Sequence, residues 1–198
     1  MAKFKAIKLD EIKYNPTELS QFWRQYFAQL SLEFGRLFDR YCQQNVSVRY
    51  LHRDVLMLNE YLKTTSRSAV IHPFKVKPTG EIGFIYLTGD LCNALIHYYL
   101  GGRAQSEKDN IHYLSSFDEK LLSHTLNDMV RLIERNLFSE KEQIKLESFS
   151  TFHLDLMEAG IQSKSLLSVQ QFLISTGQNT HVIDIAFSNR FLEGRALI

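Results

Sequence analysis

The sequence predicts one α/β domain, a three-layer α/β/α sandwich made of two similar halves related by a pseudo-twofold axis. Three observations carry this. Stretches of helical periodicity alternate with stretches of strand-like alternation along the chain. The order long helix, strand, short linker, strand, glycine turn, strand, helix occurs twice. Short identities also recur at one offset: Ser66-Arg67-Ser68 with Ser163-Lys164-Ser165, and Thr79-Gly80 with Thr176-Gly177, each pair 97 residues apart. Strand-rich segments between amphipathic helices imply a sheet covered by helices on its faces. The halves run from about 15 to 102 and from 114 to 198, after a flexible arm over residues 1–14.

The first helix opens at Asn15-Pro16-Thr17-Glu18, with Asn15 as cap, proline in the first turn and Glu18 at the capping-box position. Leu19, Phe22, Trp23, Tyr26, Phe27, Leu30, Phe34, Leu37, Phe38 and Tyr41 then form a wide apolar stripe, read as core. Val46, Val48 and Tyr50 alternate with Ser47 and Arg49, the pattern of a strand. Leu58, Tyr61 and Leu62 suggest a short helix. Ala69 to Val76 reads as a strand whose Pro73 implies an edge or a bulge. Pro78-Thr79-Gly80 is a turn and Ile82 to Leu87 the next strand. A helix follows from Thr88-Gly89-Asp90, stopped by Gly101-Gly102.

In the second half, residues 103–114 are polar and loop-like. Ser116-Phe117-Asp118-Glu119 reads as a second capping box, opening a helix whose Leu122, Leu126, Met129, Val130, Ile133 and Leu137 face a core. Ile144, Leu146 and Phe149 hint at a strand. Leu166 to Ile174 and His181 to Ala186 read as two more around Gly177, and a last helical segment starts near Ser188.

Composition narrows the function classes. Lys plus Arg is 23 against 22 Asp plus Glu, a net charge of +1, which argues against a nucleic-acid partner, since phosphate binding draws on a basic excess. Lys3, Lys5, Lys8 and Lys13 make a thin basic arm that reads as a solvated terminus. No run approaches the roughly 18 apolar residues of a spanning helix, so direct membrane insertion is not expected. Cys42 and Cys92 stand in no C-x-x-C or zinc-ligand spacing and read as reduced thiols of a cytoplasmic protein.

Catalytic signatures are missing: no nucleophile elbow, P-loop or dinucleotide fingerprint. The seven histidines are scattered, with no paired metal-ligand spacing. No cofactor, metal or catalytic residue is expected, and Asp118-Glu119 is read as a favourable acidic first turn. What remains is Gly101-Gly102-Arg103, a helix stop leading into an exposed loop, the kind of place where a rigid scaffold carries recognition.

The helix Leu19 to Tyr41, the strand Val46-Ser47-Val48, the short Glu60-Tyr61-Leu62 helix, and the run Phe84-Ile85-Tyr86-Leu87-Thr88-Gly89-Asp90-Leu91 through Leu100-Gly101-Gly102 resemble the middle domain of the flagellar motor switch family FliM. Phe117 to Leu137 resembles that family's next long helix, and His181 to Phe187 its last strand. The resemblance implies the CheC-like sandwich, a cytoplasmic place peripheral to the inner membrane in the flagellar basal body, and packing beside FliM-like neighbours in a ring. It also implies docking of a FliG-like protein on the loop at Gly101, Gly102 and Arg103, where Ala104 replaces the family's last glycine. It does not extend to the segment that binds phosphorylated CheY, faintly echoed at Leu9-Asp10-Glu11-Ile12, or to a FliN-like domain. A type III secretion ring component is an alternative. A CheC-like phosphatase on this fold would need Glu and Asn three residues apart on a helix; Glu107 and Asn110 fall in the polar loop, and Glu134 and Asn136 are one residue too close.

Overall fold

The computed structural model describes residues 16–42, 45–64, 69–102, 114–137, 144–148, 165–176 and 179–194. The first half holds α1 (Pro16–Cys42), β1 (Val46–Met57), α2 (Leu58–Thr64), β2 (Val70–Lys77), β3 (Ile82–Leu87) and α3 (Gly89–Tyr99). The second holds α4 (Ser116–Leu137), β4 (Lys145–Ser148), β5 (Leu166–Thr176), β6 (Asn179–Ser188) and α5 (Asn189–Gly194). The expected arm over residues 1–14, the cap Asn15, Phe149 and Gly177 lie outside the described residues.

The strands form one six-stranded antiparallel sheet in the order β1-β5-β6-β3-β2-β4. Written by place within each half, that order is first, second, third, third, second, first. A twofold axis through the β3–β6 pair therefore exchanges the halves, and the repeat read from element order is a repeat of structure. Ile85 faces Ile185 across this central pair.

The sheet also corrects how the repeat aligns. Core-facing residues have even numbers in β2 (Phe74, Val76) and in β5 (Phe172, Ile174), and odd numbers in β3 and β6 (Ile85, Leu87; Ile185, Phe187). An odd offset would turn every core side chain to the opposite face, so Thr79 and Thr176 are not structural equivalents; Ser66-Arg67-Ser68 and Ser163-Lys164 lie outside the described residues. Thr79 lies in the β2–β3 turn, whereas Thr176 is the buried last residue of β5, paired with Asn179. Phe74 and Phe172 correspond at 98 residues, as do Val46 and Ile144.

One face of the sheet carries α1, α3, α4 and α5, which enclose the main core. Phe172 stands at its centre, its ring meeting Phe27, Phe34 and Tyr50 at centroid distances of 6.1, 5.6 and 5.5 Å. The opposite face is covered by α2, whose Leu58 and Tyr61 pack on Phe84, Tyr86, Leu167, Val169 and Ala186. That second cluster holds a buried carboxylate: Asp184 accepts hydrogen bonds from the Tyr61 hydroxyl at 2.8 Å and from Gln171 Nε2 at 3.2 Å.

Both sheet edges begin in the same way. Asp39 on α1 accepts the backbone N–H of Val46 at 2.6 Å, and Glu134 on α4 accepts that of Leu146 at 2.5 Å. Each long helix thus satisfies a main-chain donor at the start of its own edge strand. Pro73 lies opposite Phe84 of β3, and among the described residues β4 pairs with Phe74 to Lys77, so no ladder bond to Pro73 from that side is seen among them. One cap differs from expectation. The capping residue of α4 is Ser115, not Ser116: Ser115 Oγ accepts the Asp118 N–H at 3.2 Å, and Asp118 Oδ2 accepts the Ser115 N–H at 2.8 Å. Asp118 closes the reciprocal box that was expected at Glu119.

His72 is buried on the main-core face, and burial holds its imidazole down to about 4. The unfolded chain regains an ordinary value of about 6.5, so it binds a proton that the native chain refuses. Stability therefore falls as pH drops from about 6.5 to 4, by up to about 3 kcal/mol. Asp184, raised by burial against the pull of its Tyr61 and Gln171 hydrogen bonds, titrates in the opposite sense. In an Asp184→Asn background, urea unfolding across this window should show the slope, and His72→Leu should flatten it. Phe172→Ala should cost about 3–5 kcal/mol in the same assay, and Phe117→Ala, at an exposed site, less than about 0.5 kcal/mol.

Candidate protein-docking site

The expected recognition residues sit at the end of α3, and the helix explains why. Thr88 precedes it in an extended conformation, and Leu91, Cys92, Ala94 and Leu95 are buried against the sheet. The chain must then leave the helix sharply. It does so through a Schellman turn: Gly102 N–H donates to His97 O at 2.9 Å and Gly101 N–H to Tyr98 O at 3.0 Å. Gly101 occupies the left-handed region at φ 77°. Gly102 has little room, since a Cβ there would lie 3.2 Å from His97 O. The turn projects Leu100, which is 63% exposed. Arg103 and Ala104 lie outside the described residues, so the structure places two of the three expected site residues.

Both ends of α3 are fastened by the other half of the molecule. At its start, Asp90 Oδ2 lies 2.7 Å from Nδ1 of the buried His181 on β6. Burial pushes the Asp90 carboxyl up, but its contacts with Thr88, His181 and the Leu91 N–H outweigh this and hold it below the ordinary range. At its end, the Tyr99 hydroxyl is hydrogen-bonded to the Thr125 hydroxyl on α4, and its ring lies 5.2 Å from that of Tyr41. Tyr41 in turn donates to Asp128 on α4 at 2.7 Å. Burial and the Asp128 carboxylate raise the Tyr41 phenol, keeping it a neutral donor.

None of these partners is near its mate in sequence, so local pattern could not reveal them. The chemistry here is that of a held surface. Among the described residues no three metal-ligating side chains converge, and no helix is long and apolar enough to cross a membrane. Cys42 and Cys92 are both buried; burial, with the nearby Asp39, pushes the Cys42 thiol up to about 12, and burial raises Cys92 too. Both are inert thiols at neutral pH.

The class defined by this fold is a duplicated domain with one antiparallel sheet between helical layers and a glycine turn at the end of the helix after β3. Its particular form is that of the FliM middle domain. A chain in the crystal structure of the FliG–FliM complex from H. pylori superposes at a TM-score of 0.73 and 14% identity, covering 86% of this chain and 93% of that one. The FliM middle domain from Vibrio alginolyticus gives 0.68 at 13% identity, covering 87% and 99%. FliY from Thermotoga maritima gives 0.70 at 9% identity, covering 94% and 98%. No protein-family model matches the chain, and no curated protein matches it by sequence. Identities this low establish the fold.

Gly101→Ala forces a Cβ into the left-handed region and should lower stability by about 1–2 kcal/mol. Leu100→Ser, at an exposed side chain, should change it by less than about 0.5 kcal/mol. Thermal melts of the two variants check the difference.

Proposed function

We propose that this chain is a non-enzymatic interaction module of a flagellar-type rotor. It docks a FliG-like protein through the turn at Leu100, Gly101 and Gly102, continuing into Arg103, and packs beside FliM-like neighbours in the cytoplasmic ring at the base of the flagellum. The observation that carries this reading is the match of the whole duplicated fold, at a TM-score of 0.73, to a chain from a FliG–FliM complex. The exposed leucine on a turn held from both sides supports it, because a pre-organised apolar contact loses little freedom on binding. The long helices support a non-enzymatic role. Glu33 is followed three residues later by Arg36, and Asp128 by Arg131, where a CheC-like phosphatase needs asparagine to orient water.

Calorimetric titration of the chain with a FliG middle domain tests the reading. Saturable one-to-one binding is expected, weakened about tenfold or more by Leu100→Ser, as for an apolar hot spot, and also by Gly102→Asp. Absence of binding by a folded sample, or equal binding by wild type and Leu100→Ser, contradicts it.

A further inference from the structure

β1 is an edge of the sheet, and its hydrogen-bonding parity shows what that edge offers. Leu58 N–H donates to Ser165 O at 3.0 Å, so Leu58 turns its main chain toward β5. Ladder bonds alternate along an antiparallel strand, and the register between β1 and β5 is unbroken from His52 to Met57. Arg53, Val55 and Met57 therefore point their main-chain N–H and C=O groups outward, away from β5. The Met57 N–H meets Glu60 Oε2 at 3.3 Å. The outward groups of Arg53 and Val55 have no partner among the described residues. Sheet edges are commonly guarded by charge or by a bulge. The first part of β1 has both, in Arg49 and the bulge between Tyr50 and His52. Past Asp54 the guards stop. Val55 is 45% exposed, Met57 44%, and Leu166, opposite Met57 on β5, 45%.

Arg53 stands beside this apolar patch and is held from beneath. Its Nε donates to Ser168 Oγ at 2.6 Å and its Nη2 to Asn189 Oδ1 at 2.8 Å. Ser168 and Asn189 are both buried. The buried Gln170 completes the support: its Nε2 donates to Ser168 Oγ at 2.9 Å, and its Oε1 accepts the Tyr50 hydroxyl at 3.0 Å. All these acceptors are neutral, and no carboxylate pairs with Arg53 among the described residues. A guanidinium carries five N–H donors in a planar fork. One edge of the fork is spent on Ser168 and Asn189, and Nη1 has no partner among the described residues. Arg53 is half-buried, so this remaining edge meets solvent, and a fork fixed in this way fits the two oxygens of a carboxylate. The surroundings are cationic too. Burial raises the Tyr50 phenol to about 12, while Arg53 and Arg24 both pull it down. Asp54, on the other face of β1, is held by His52 at 3.0 Å.

We propose that the outer edge of β1, from Arg53 to Met57, accepts an extended acidic segment of a partner protein as an added strand. The outward main-chain groups call for a partner backbone, which a free anion lacks, and Arg53 calls for a carboxylate on it. An antiparallel partner reads apolar, polar, apolar, polar, acidic from its N-terminus. Its apolar residues lie over Met57 and Val55 and its acid over Arg53. This surface is separate from the docking turn on α3 and does not depend on the rotor assignment.

Fluorescence anisotropy on the full chain tests this with a labelled, end-capped peptide, Thr-Ile-Thr-Val-Thr-Glu-Thr. Saturable binding is expected, weaker at high salt because the ion pair is partly exposed. Replacing the peptide's Glu by Gln should weaken it about tenfold or more. Methylating the backbone nitrogens that face β1 should abolish it, since the added ladder loses its donors. In the protein, Val55→Lys should weaken binding about tenfold by guarding the edge, and Arg53→Lys should do so by removing the fork. Leu100→Ser should leave it unchanged. Circular dichroism melts check that each variant is folded. A folded chain that leaves the peptide unbound at millimolar concentration overturns the proposal. So does equal binding of the Gln peptide or of the methylated one, or binding indifferent to Val55→Lys.

Discussion

The structure depends on the pairing of β3 with β6. This pair holds the twofold axis that exchanges the halves, with Ile85 opposite Ile185 on it, while β1 with β5 and β2 with β4 join the halves again on either side. Each strand then leads directly into a short helix, α3 after β3 and α5 after β6. The central ladder therefore sets the height and direction of both helices over the main core. Flanking strands extend that core outward, and α1 and α4 cover it as an antiparallel pair. Sheet pairing of this kind has no give along the strand, since a slip of one residue would reverse the buried face of every strand it joins.

The helix that carries the candidate docking turn shows what this dependence produces. α3 belongs to the first half by sequence, yet both of its polar fastenings are made to the second: Asp90 to His181 on β6, and Tyr99 to Thr125 on α4. The turn at Gly101 is consequently set on a base that spans both halves. A surface of this kind suits recognition of another protein, which gains from a shape that exists before the partner arrives. The buried polar groups support the same reading. Asp184 ties β6 to α2 and β5, Tyr41 ties α1 to α4, and burial holds the His72 imidazole below its ordinary range.

Much of this was legible in the chain itself, for identifiable reasons. The stripe from Trp23 to Phe38 and the run from Leu122 to Leu137 mark long helices because burial on one helical face imposes its period on the sequence. Gly101-Gly102 marked the end of α3 because only a left-handed residue completes that turn. Alignment of the repeat was harder. The Thr-Gly identity sets Thr79, in a turn, against Thr176, the last residue of β5, while true equivalence rests on the parity of Phe74 with Phe172 and is visible only once the faces are known. The fastenings of α3 join residues as much as 91 positions apart, and no local pattern reports a contact of that range.

The most direct test of the account is hydrogen exchange, read by mass spectrometry, on the chain alone and with a saturating FliG middle domain. The account predicts that β3 and β6 exchange slowest in both states, and that added protection is confined to the end of α3 and the loop that follows Gly102. Protection gained on a different face, no gain at all, or a β3–β6 ladder that exchanges faster than the outer strands would contradict it.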